Sequence, residues 1–175
     1  METISKNIVL VGPMGVGKTT VGRRLAHDLG QNFFDTDHEI IDKTGVSIDH
    51  IFDIEGEKGF RERESKILEN LCQMSNIILA TGGGIVLLPK NREILKNSGM
   101  VVYLSSSLGQ LMRRTNRAKT RPLLENSSDR KKTIKELVEA REVYYREVSS
   151  IVVDTTGKKL NEVINIIKRE VKNVK

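Results

Sequence analysis

Short apolar runs alternate along the chain with longer stretches in which apolar residues recur at helical spacing. The runs occupy residues 8–11, 32–34, 77–80, 101–104 and 151–153. This alternation is typical of β-strands joined by helical crossovers, and it predicts an α/β fold with a five-stranded parallel sheet covered by helices on both faces. Ligands of such sheets bind at the carboxyl ends of the strands, so the residues after each run are the first candidates for chemistry.

Length and composition fit one intracellular domain. The 175 residues are about the length of a single domain and can bury a sizeable core. The single cysteine, Cys72, cannot form an internal disulfide, and its apolar neighbours at helical spacing predict a small buried side chain. No charged-then-apolar leader opens the chain and the apolar runs are short, so we expect a soluble cytoplasmic protein that does not contact membranes.

The net charge of +6 does not by itself indicate a nucleic-acid partner. Segment 158–175 holds six basic and two acidic residues, which accounts for +4 of the total. Apolar residues recur there at helical spacing, so the basic residues are predicted to form the solvated face of a terminal helix. Aromatic residues make up only 4% of the chain and do not interleave with basic stretches, so we expect no nucleic-acid binding.

The first run is followed by GPMGVGKT at 12–19, which fits the pattern G-x-x-x-x-G-K-[ST] of phosphate-binding loops. In this pattern, glycines turn the backbone so that its N–H groups face phosphate oxygens. These glycines are Gly12, Gly15 and Gly17. Lys18 would reach the β- and γ-phosphates, Thr19 would offer a hydroxyl to Mg²⁺, and Thr20 is placed for a further phosphate contact. The alternative is an ordinary glycine-rich turn, which the strand-loop-helix context disfavours.

Two carboxylates, Asp35 and Asp37, follow the second run. If the strand continues through both residues, their side chains lie on the same face of the sheet. Carboxylates beside phosphates are costly unless they coordinate a metal ion or take a proton from an incoming hydroxyl. In phosphate-loop proteins, the strand that helps to bind the metal ion usually ends in an aspartate. The third run of this chain lacks that aspartate, so Asp35 is predicted to bind the metal ion together with Thr19. An acidic turn that caps the next helix is the alternative.

Three consecutive glycines, Gly82, Gly83 and Gly84, end the third run. Glycine without a Cβ permits close backbone approach, here to a neighbouring element or to a ligand. A plain tight turn is the alternative interpretation.

Two predicted helices carry charges where their pattern calls for apolar residues. Arg61 and Glu64 lie on or beside the apolar stripe of segment 60–74, and Arg141 lies on that of segment 133–148. Inward arginines need an anionic partner. Two of them facing one cleft indicate a carboxylate or phosphate on a second substrate, whereas internal ion pairs would explain each arginine separately.

Segment 112–130 is rich in arginine, lysine and polar residues, and Pro122 ends any helix before it. We interpret it as a mobile basic flap that closes over a nucleotide and brings an arginine to the transferred phosphoryl group. A solvated loop without such a role is the alternative.

Taken together, these motifs resemble those of the shikimate kinases over nearly the whole chain, from Ile8 to about Asp154. They recur in that family's order: GPMGVGKTTVGRRLA from residue 12, FFDTD at 33–37, FRERE at 60–64, TGGG at 81–84, RPLL at 121–124, and R-x-x-x-Y at 141–145. The combination is far more specific than the phosphate loop alone.

The resemblance implies a P-loop NTPase of nucleoside-monophosphate-kinase type with strand order 2-3-1-4-5. It implies one kinase domain over 1–175, with a core of 1–32, 76–111 and 131–175, a substrate-binding segment 33–75 and a lid at about 112–130. The implied activity is phosphorylation of the 3-hydroxyl of shikimate by ATP with Mg²⁺, to give shikimate 3-phosphate and ADP in the chorismate pathway. A monomer is expected.

The residue patterns above and the resemblance together assign roles to single residues. The ATP site is expected to comprise Gly12, Gly15, Val16, Gly17, Lys18, Thr19, Thr20, Arg114, Arg121 and Lys158. The shikimate site is expected to comprise Asp37, Arg61, Glu64, Gly82, Gly83, Gly84 and Arg141. Catalysis is assigned to Lys18, Asp37 and Arg121, and the metal to Thr19 and Asp35.

Three other functions fit parts of the pattern. A gluconate kinase shares the phosphate loop, but two inward arginines fit a ring acid better. Adenylate-type kinases carry D-G-[FY]-P-R after the third strand, where this chain has TGGGIV. A nucleotide-driven switch or nucleic-acid remodelling ATPase would carry the metal-binding aspartate at the strand end, which this chain lacks. It would also hydrolyse ATP without an added acceptor.

Overall fold

A five-stranded parallel sheet forms the centre of the protein. The computed structural model describes residues 6–116 and 129–173. The strands are β1 (Ile8–Val11), β2 (Asn32–Asp35), β3 (Ile77–Ala80), β4 (Met100–Ser105) and β5 (Ile151–Asp154). Their order is β2-β3-β1-β4-β5, and every pair is parallel. The strand order and fold class expected from the sequence are therefore confirmed.

Helices connect the strands and cover both faces of the sheet. They are α1 (Lys18–Leu29), α2 (Thr36–Thr44), α3 (Ile48–Cys72), α4 (Pro89–Asn97), α5 (Leu108–Thr115), α6 (Arg130–Val148) and α7 (Leu160–Asn173), with a 3₁₀ turn at Ile85–Leu87. Among the described helices, none is long and apolar enough to cross a membrane.

Two apolar layers sandwich the sheet, because alternate strand residues point to opposite faces. Leu10 and Val102 face the layer that includes Leu25 of α1 and Ile164 of α7. On the other face, the layer includes residues from β1, β3, β4, α3 and α6: Val9, Leu79, Tyr103, Leu68 and Tyr145. β1 and β3 are buried along their whole length, which explains why their sequences are continuously apolar rather than alternating.

Helix α3 differs from the prediction. The apolar stripe predicted a helix from residue 60, but α3 begins at Ile48 and contains a non-helical residue, Gly56, with φ 69°. Before this break Ile51 is the one buried residue, so the first part of α3 lacks the stripe that marks the second. The second part carries Arg61 and Glu64 inward, as expected.

The predicted lid is helical at both ends. Helix α5 continues to Thr115, and α6 begins at Arg130 with Asp129 as its N-cap. Arg121 and the rest of segment 117–128 lie outside the described residues.

Candidate active site

The phosphate loop follows β1 and ends at the first turn of α1. Gly12 has φ 144°, and a Cβ there would lie 2.3 Å from the carbonyl oxygen of Leu104 in β4. Any other residue would therefore be both strained and in collision with the neighbouring strand. Gly15 and Gly17 also have positive φ, 78° and 104°. The loop is thus built as the sequence pattern predicts.

Lys18 folds back over this loop. Its Nζ donates to the carbonyl oxygens of Gly12 at 2.7 Å and Pro13 at 2.9 Å, and the residue is 9% exposed. The ammonium group therefore lies at the loop rather than in solvent. From α5, Nη1 of Arg114 donates to the carbonyl oxygen of Val16 at 2.7 Å, so a second cation borders the loop.

Thr19 and Asp35 meet at the start of α1 and the end of β2. Thr19 Oγ1 donates to Asp35 Oδ2 at 2.6 Å. The other oxygen, Asp35 Oδ1, accepts from the backbone N–H groups of Asp37 at 3.0 Å and His38 at 3.4 Å, and so caps α2. Asp35 therefore combines two of the predicted features, a helix cap and a carboxylate oxygen beside the phosphate-loop hydroxyl.

The strand does not continue through Asp37, so the condition under which Asp35 and Asp37 would share one face of the sheet is not met. β2 ends at Asp35 and α2 begins at Thr36, because the Asp35 cap satisfies the first N–H groups of that helix. Both carboxylates nevertheless border the same space, since a helix start turns Asp37 back toward the strand end.

The glycine segment, residues 82–84 after β3, is in close contact with charged side chains of α3. A Cβ on Gly82 would lie 2.4 Å from Glu64 Oε1, and one on Gly84 would lie 2.3 Å from Arg61 Nη2. The N–H of Gly82 donates to Thr36 Oγ1 at 3.0 Å, which ties the segment to the start of α2. Close approach, and not merely a tight turn, therefore accounts for Gly82 and Gly84.

Arg61 is already engaged by two carboxylates. Its Nη1 donates to Glu64 Oε2 at 2.8 Å, while Nε and Nη2 donate to Glu57 Oε1 at 3.3 Å and 3.1 Å. Arg61 is 8% exposed and Glu64 is fully buried, whereas about half of the Glu57 side chain is exposed. The internal ion pair left open by the sequence is therefore present for Arg61.

Glu64 is in an unusual electrostatic environment. Burial raises its pKa above the ordinary value, Arg61 and Arg141 lower it, and the nearby carboxylate of Asp37 raises it further. Its Oε1 has no hydrogen-bond partner among the described residues. Such an orphaned, buried carboxylate oxygen is costly, so a hydrogen-bond donor on a bound ligand would be favoured there.

Arg141 enters the same region from α6. It is 5% exposed, and its Nη1 lies 3.6 Å from the position that a Cβ on Gly83 would occupy. One turn later in α6, Tyr145 donates its hydroxyl hydrogen to the carbonyl oxygen of Gly83. The two inward arginines predicted from the sequence therefore converge on the glycine segment from different helices.

Two adjoining cavities result from this arrangement. The phosphate cavity, about 470 Å³, is lined by the loop and first turn of α1 and by Arg114 and Lys158. The acid cavity, about 420 Å³, is lined by Arg61, Glu64 and Arg141. Both share one wall, formed by Met14, Thr19, Asp35, Asp37, Gly82 and Gly83. Thr20 lines the first cavity and Gly84 the second, so every predicted site residue that the structure describes borders one of them, except Gly12, whose carbonyl binds Lys18.

Sequence reasoning missed the apolar walls. Met14 borders both cavities, and the rings of Phe52 and Phe60, with centroids 4.8 Å apart, line the acid cavity. Phe60 begins the predicted segment 60–74, whose apolar stripe indicated only a position in the core. Phe52 gave no usable signal, because it lies in the part of α3 that the stripe did not predict.

The oxygens of Thr19 and Asp35 suit a hard divalent cation such as Mg²⁺. Mg²⁺ is usually held by one or two protein oxygens together with substrate phosphates and water. No group of three or more metal-binding side chains occurs among the described residues.

Comparisons with known proteins give one consistent answer. The sequence model of the shikimate kinases matches residues 14–172. The shikimate kinase of Nitrosococcus oceani is 48% identical over 169 residues, covering 97% of this chain and 88% of that protein. The solved structure of shikimate kinase from Acinetobacter baumannii in complex with shikimate has a TM-score of 0.95 at 43% identity, covering 99% of this chain and 96% of that one.

A more distant structure shares the architecture alone. A gluconokinase from Sinorhizobium meliloti has a TM-score of 0.61 at 21% identity and covers 99% of this chain and 97% of that one. The family match extends over most of the chain and the relatives are close to half identical. On this evidence, the chain belongs to the shikimate kinase family.

Proposed function

We propose that this protein transfers the γ-phosphoryl group of ATP to the 3-hydroxyl of shikimate, giving shikimate 3-phosphate and ADP in aromatic amino acid biosynthesis. The observation that carries the proposal is the pair of adjoining cavities with a shared wall. One is built around a phosphate loop and the other around two buried arginines. A triphosphate and an anionic ring acid bound side by side would bring donor and acceptor into contact.

The phosphate cavity supplies the groups that phosphoryl transfer requires. Backbone N–H groups of the loop, the N-terminus of α1 and the Lys18 ammonium would bind the β- and γ-phosphates. Arg114 and Lys158 line the same cavity and would contact the nucleotide beyond its phosphates. Positioning and charge stabilisation supply most of the acceleration in such reactions.

Thr19 and Asp35 would hold Mg²⁺ that arrives with ATP. The bound ion would neutralise charge on the phosphate oxygens. The contact of 2.6 Å between their side-chain oxygens supports this assignment, because it brings two hard oxygen ligands to the start of the loop helix.

Asp37 is the candidate for orienting the attacking hydroxyl. It lines both cavities, so its carboxylate borders the space where the acceptor would meet the γ-phosphate. There it would accept a hydrogen bond from the 3-hydroxyl and take its proton as the new O–P bond forms.

The acid cavity would recognise the rest of shikimate. Arg61 and Arg141 would bind the carboxylate, with the glycine segment against the ring and Glu64 close to Arg61. Arg121, in the predicted lid, is assigned to the transferred phosphoryl group on the family pattern alone. A monomer in the cytoplasm stays the expected state.

The decisive measurement is ADP release by the purified full chain, followed in a coupled assay with MgATP. We expect turnover with shikimate, and little or none with gluconate, with AMP or without an acceptor. Chelation of Mg²⁺ should abolish it. Turnover with gluconate instead would favour the sugar-acid kinase function, and equal ADP release without any acceptor would indicate an ATPase.

A further inference from the structure

We infer that Tyr145 is a positioning residue for substrate binding: its hydroxyl fixes the peptide between Gly83 and Gly84 so that the N–H of Gly84 faces the acid cavity. The inference rests on the proposed function, since it concerns how that cavity receives shikimate. Tyr145 itself lines neither cavity, so it would act through the glycine segment and not by touching the substrate.

The hydrogen bond from Tyr145 is long-range and partly buried. Its hydroxyl donates to the carbonyl oxygen of Gly83, 62 residues away in the chain. Tyr145 is fully buried, and its ring stacks on that of Tyr103 with centroids 5.1 Å apart. Tyr103 lies in β4 and donates its own hydroxyl hydrogen to Glu142 of α6. The hydroxyl of Tyr145 is therefore held by a rigid strand and helix rather than by a surface loop.

Fixing one carbonyl fixes a whole peptide plane. The peptide bond is planar, and in its trans form the N–H of residue i+1 points opposite to the C=O of residue i. The described residues contain no cis peptide. Because the carbonyl of Gly83 points to Tyr145, the N–H of Gly84 points away from Tyr145, and Gly84 lines the acid cavity beside Arg61. The backbone donor is thereby directed to the side where an anionic ligand would bind.

The glycine segment needs such an anchor because its backbone is unusually free to rotate. A glycine peptide rotates more freely than any other, so three consecutive glycines would sample several orientations if nothing held them. The N–H of Gly82 is bound to Thr36, which fixes the start of the segment, and Tyr145 fixes its middle. Binding to a donor that is already oriented avoids an ordering cost that would otherwise weaken affinity.

The hydroxyl also remains a donor at any working pH. Burial raises the pKa of Tyr145 to about 12, although Arg141 opposes the shift. The same helix carries Arg141, one turn earlier, so α6 would orient both a charged contact and a backbone contact to the substrate.

Tyr145→Phe tests the inference, because it removes the hydroxyl and keeps the ring and its stacking. Tyr144→Phe is the matched control, since the adjacent Tyr144 ring lies over Arg92, 4.4 Å from its guanidinium carbon, outside both cavities. Tyr145→Phe also removes the hydrogen bond between the hydroxyl and Arg141. We expect it to raise KM for shikimate about three- to tenfold, the usual range for losing a hydrogen bond. It should also abolish the protection of the Gly84 N–H from exchange by shikimate, which the loss of the Arg141 contact alone would not do. KM for ATP should stay within about twofold, and Tyr144→Phe should change neither value.

Three results would overturn the inference: unchanged KM for shikimate in Tyr145→Phe, equal rises in both KM values, or the same change in Tyr144→Phe.

The wild-type protein is assayed first. Absence of wild-type turnover with shikimate contradicts the proposed function, whereas wild-type turnover with an unaffected variant contradicts only the role of Tyr145. If Tyr145→Phe does not fold, amide hydrogen exchange in the wild type decides. Shikimate should protect the N–H of Gly84, and unchanged exchange would refute the inference.

Discussion

The two halves of the site are stabilised in different ways. In the phosphate cavity, Lys18 binds carbonyl oxygens five and six residues earlier in the chain, so one short segment builds the phosphate loop itself. In the acid cavity, Arg61 comes from α3, Arg141 from α6 and the glycine segment from the end of β3. The phosphate loop is therefore local in sequence, whereas the acid cavity exists only when distant elements pack together.

The halves also differ in how their cations are balanced. Lys18 donates to the carbonyl oxygens of Gly12 and Pro13, so backbone dipoles take part in balancing its charge. Arg61 is held by the full negative charges of Glu57 and Glu64. The phosphate side thus favours any polyphosphate, whereas on the acid side a ligand must compete with carboxylates of the protein. We therefore expect the phosphate cavity to accept many polyphosphates and the acid cavity to be selective for its ligand.

The largest effect is expected on the phosphate side, from Lys18→Met. This change keeps most of the aliphatic chain and removes the charge, and we expect kcat to fall about 100- to 1000-fold, as when a positioned transition-state donor is lost. The coupled ADP assay measures it. Lys158→Met is the matched control, because Lys158 lines the same cavity and should affect turnover far less.

A comparable loss in both lysine variants would show that the cavity responds to total charge rather than to the geometry of the loop. Circular dichroism and thermal melting accompany the assay, since Lys18 also bonds to two carbonyls of the loop.

A smaller effect with a different signature is expected on the acid side, from Arg61→Lys. Lysine keeps a charge near buried Glu64 but lacks the planar fork that binds a carboxylate through two parallel bonds. We expect KM for shikimate to rise about 10- to 100-fold, with KM for ATP little changed. Arg63→Lys is the control, because Arg63 pairs with Glu55 and is largely exposed.

If Arg61→Lys raised KM for ATP as much as that for shikimate, the separation of the two cavities would be wrong. If it left both unchanged, Arg61 would serve only the internal ion pair.

The same local-versus-distant difference decides what could be read from the sequence. The strands were predictable because each is a short apolar run between turn residues. The phosphate loop was predictable because the residues that determine its conformation, Gly12 to Thr19, are consecutive in the sequence. The pairing of Arg61 with Glu64 was predictable as well, since i, i+3 spacing on a helix is a local property.

Other features depended on packing. The start of α3 at Ile48 was missed because the helix before Gly56 is mostly exposed. The start of α2 at Thr36 was not predicted, because period-two spacing cannot reveal that a side-chain cap will start a helix. The contact of Tyr145 with Gly83 joins α6 to the end of β3, and nothing in either local sequence specifies it.

The smallest expected effect concerns Glu57, and it tests directly whether the acid side is selective through competition. Glu57 accepts from Nε and Nη2 of Arg61, one edge of the guanidinium through which a substrate carboxylate could bind. Glu57→Gln removes this competing charge, while Glu64 still holds Nη1. Because exposed ion pairs contribute little, we expect KM for shikimate to fall only about twofold.

Glu55→Gln is the control for Glu57→Gln. It lies two residues away and loses its pair with Arg63, which lines neither cavity, so KM should not change. A rise in KM for Glu57→Gln would reverse the interpretation: Glu57 would then hold Arg61 in place for the substrate rather than compete with it, and both carboxylates on Arg61 would be supports. A fall would mean that the protein keeps its buried arginine neutralised at some cost in affinity for the substrate.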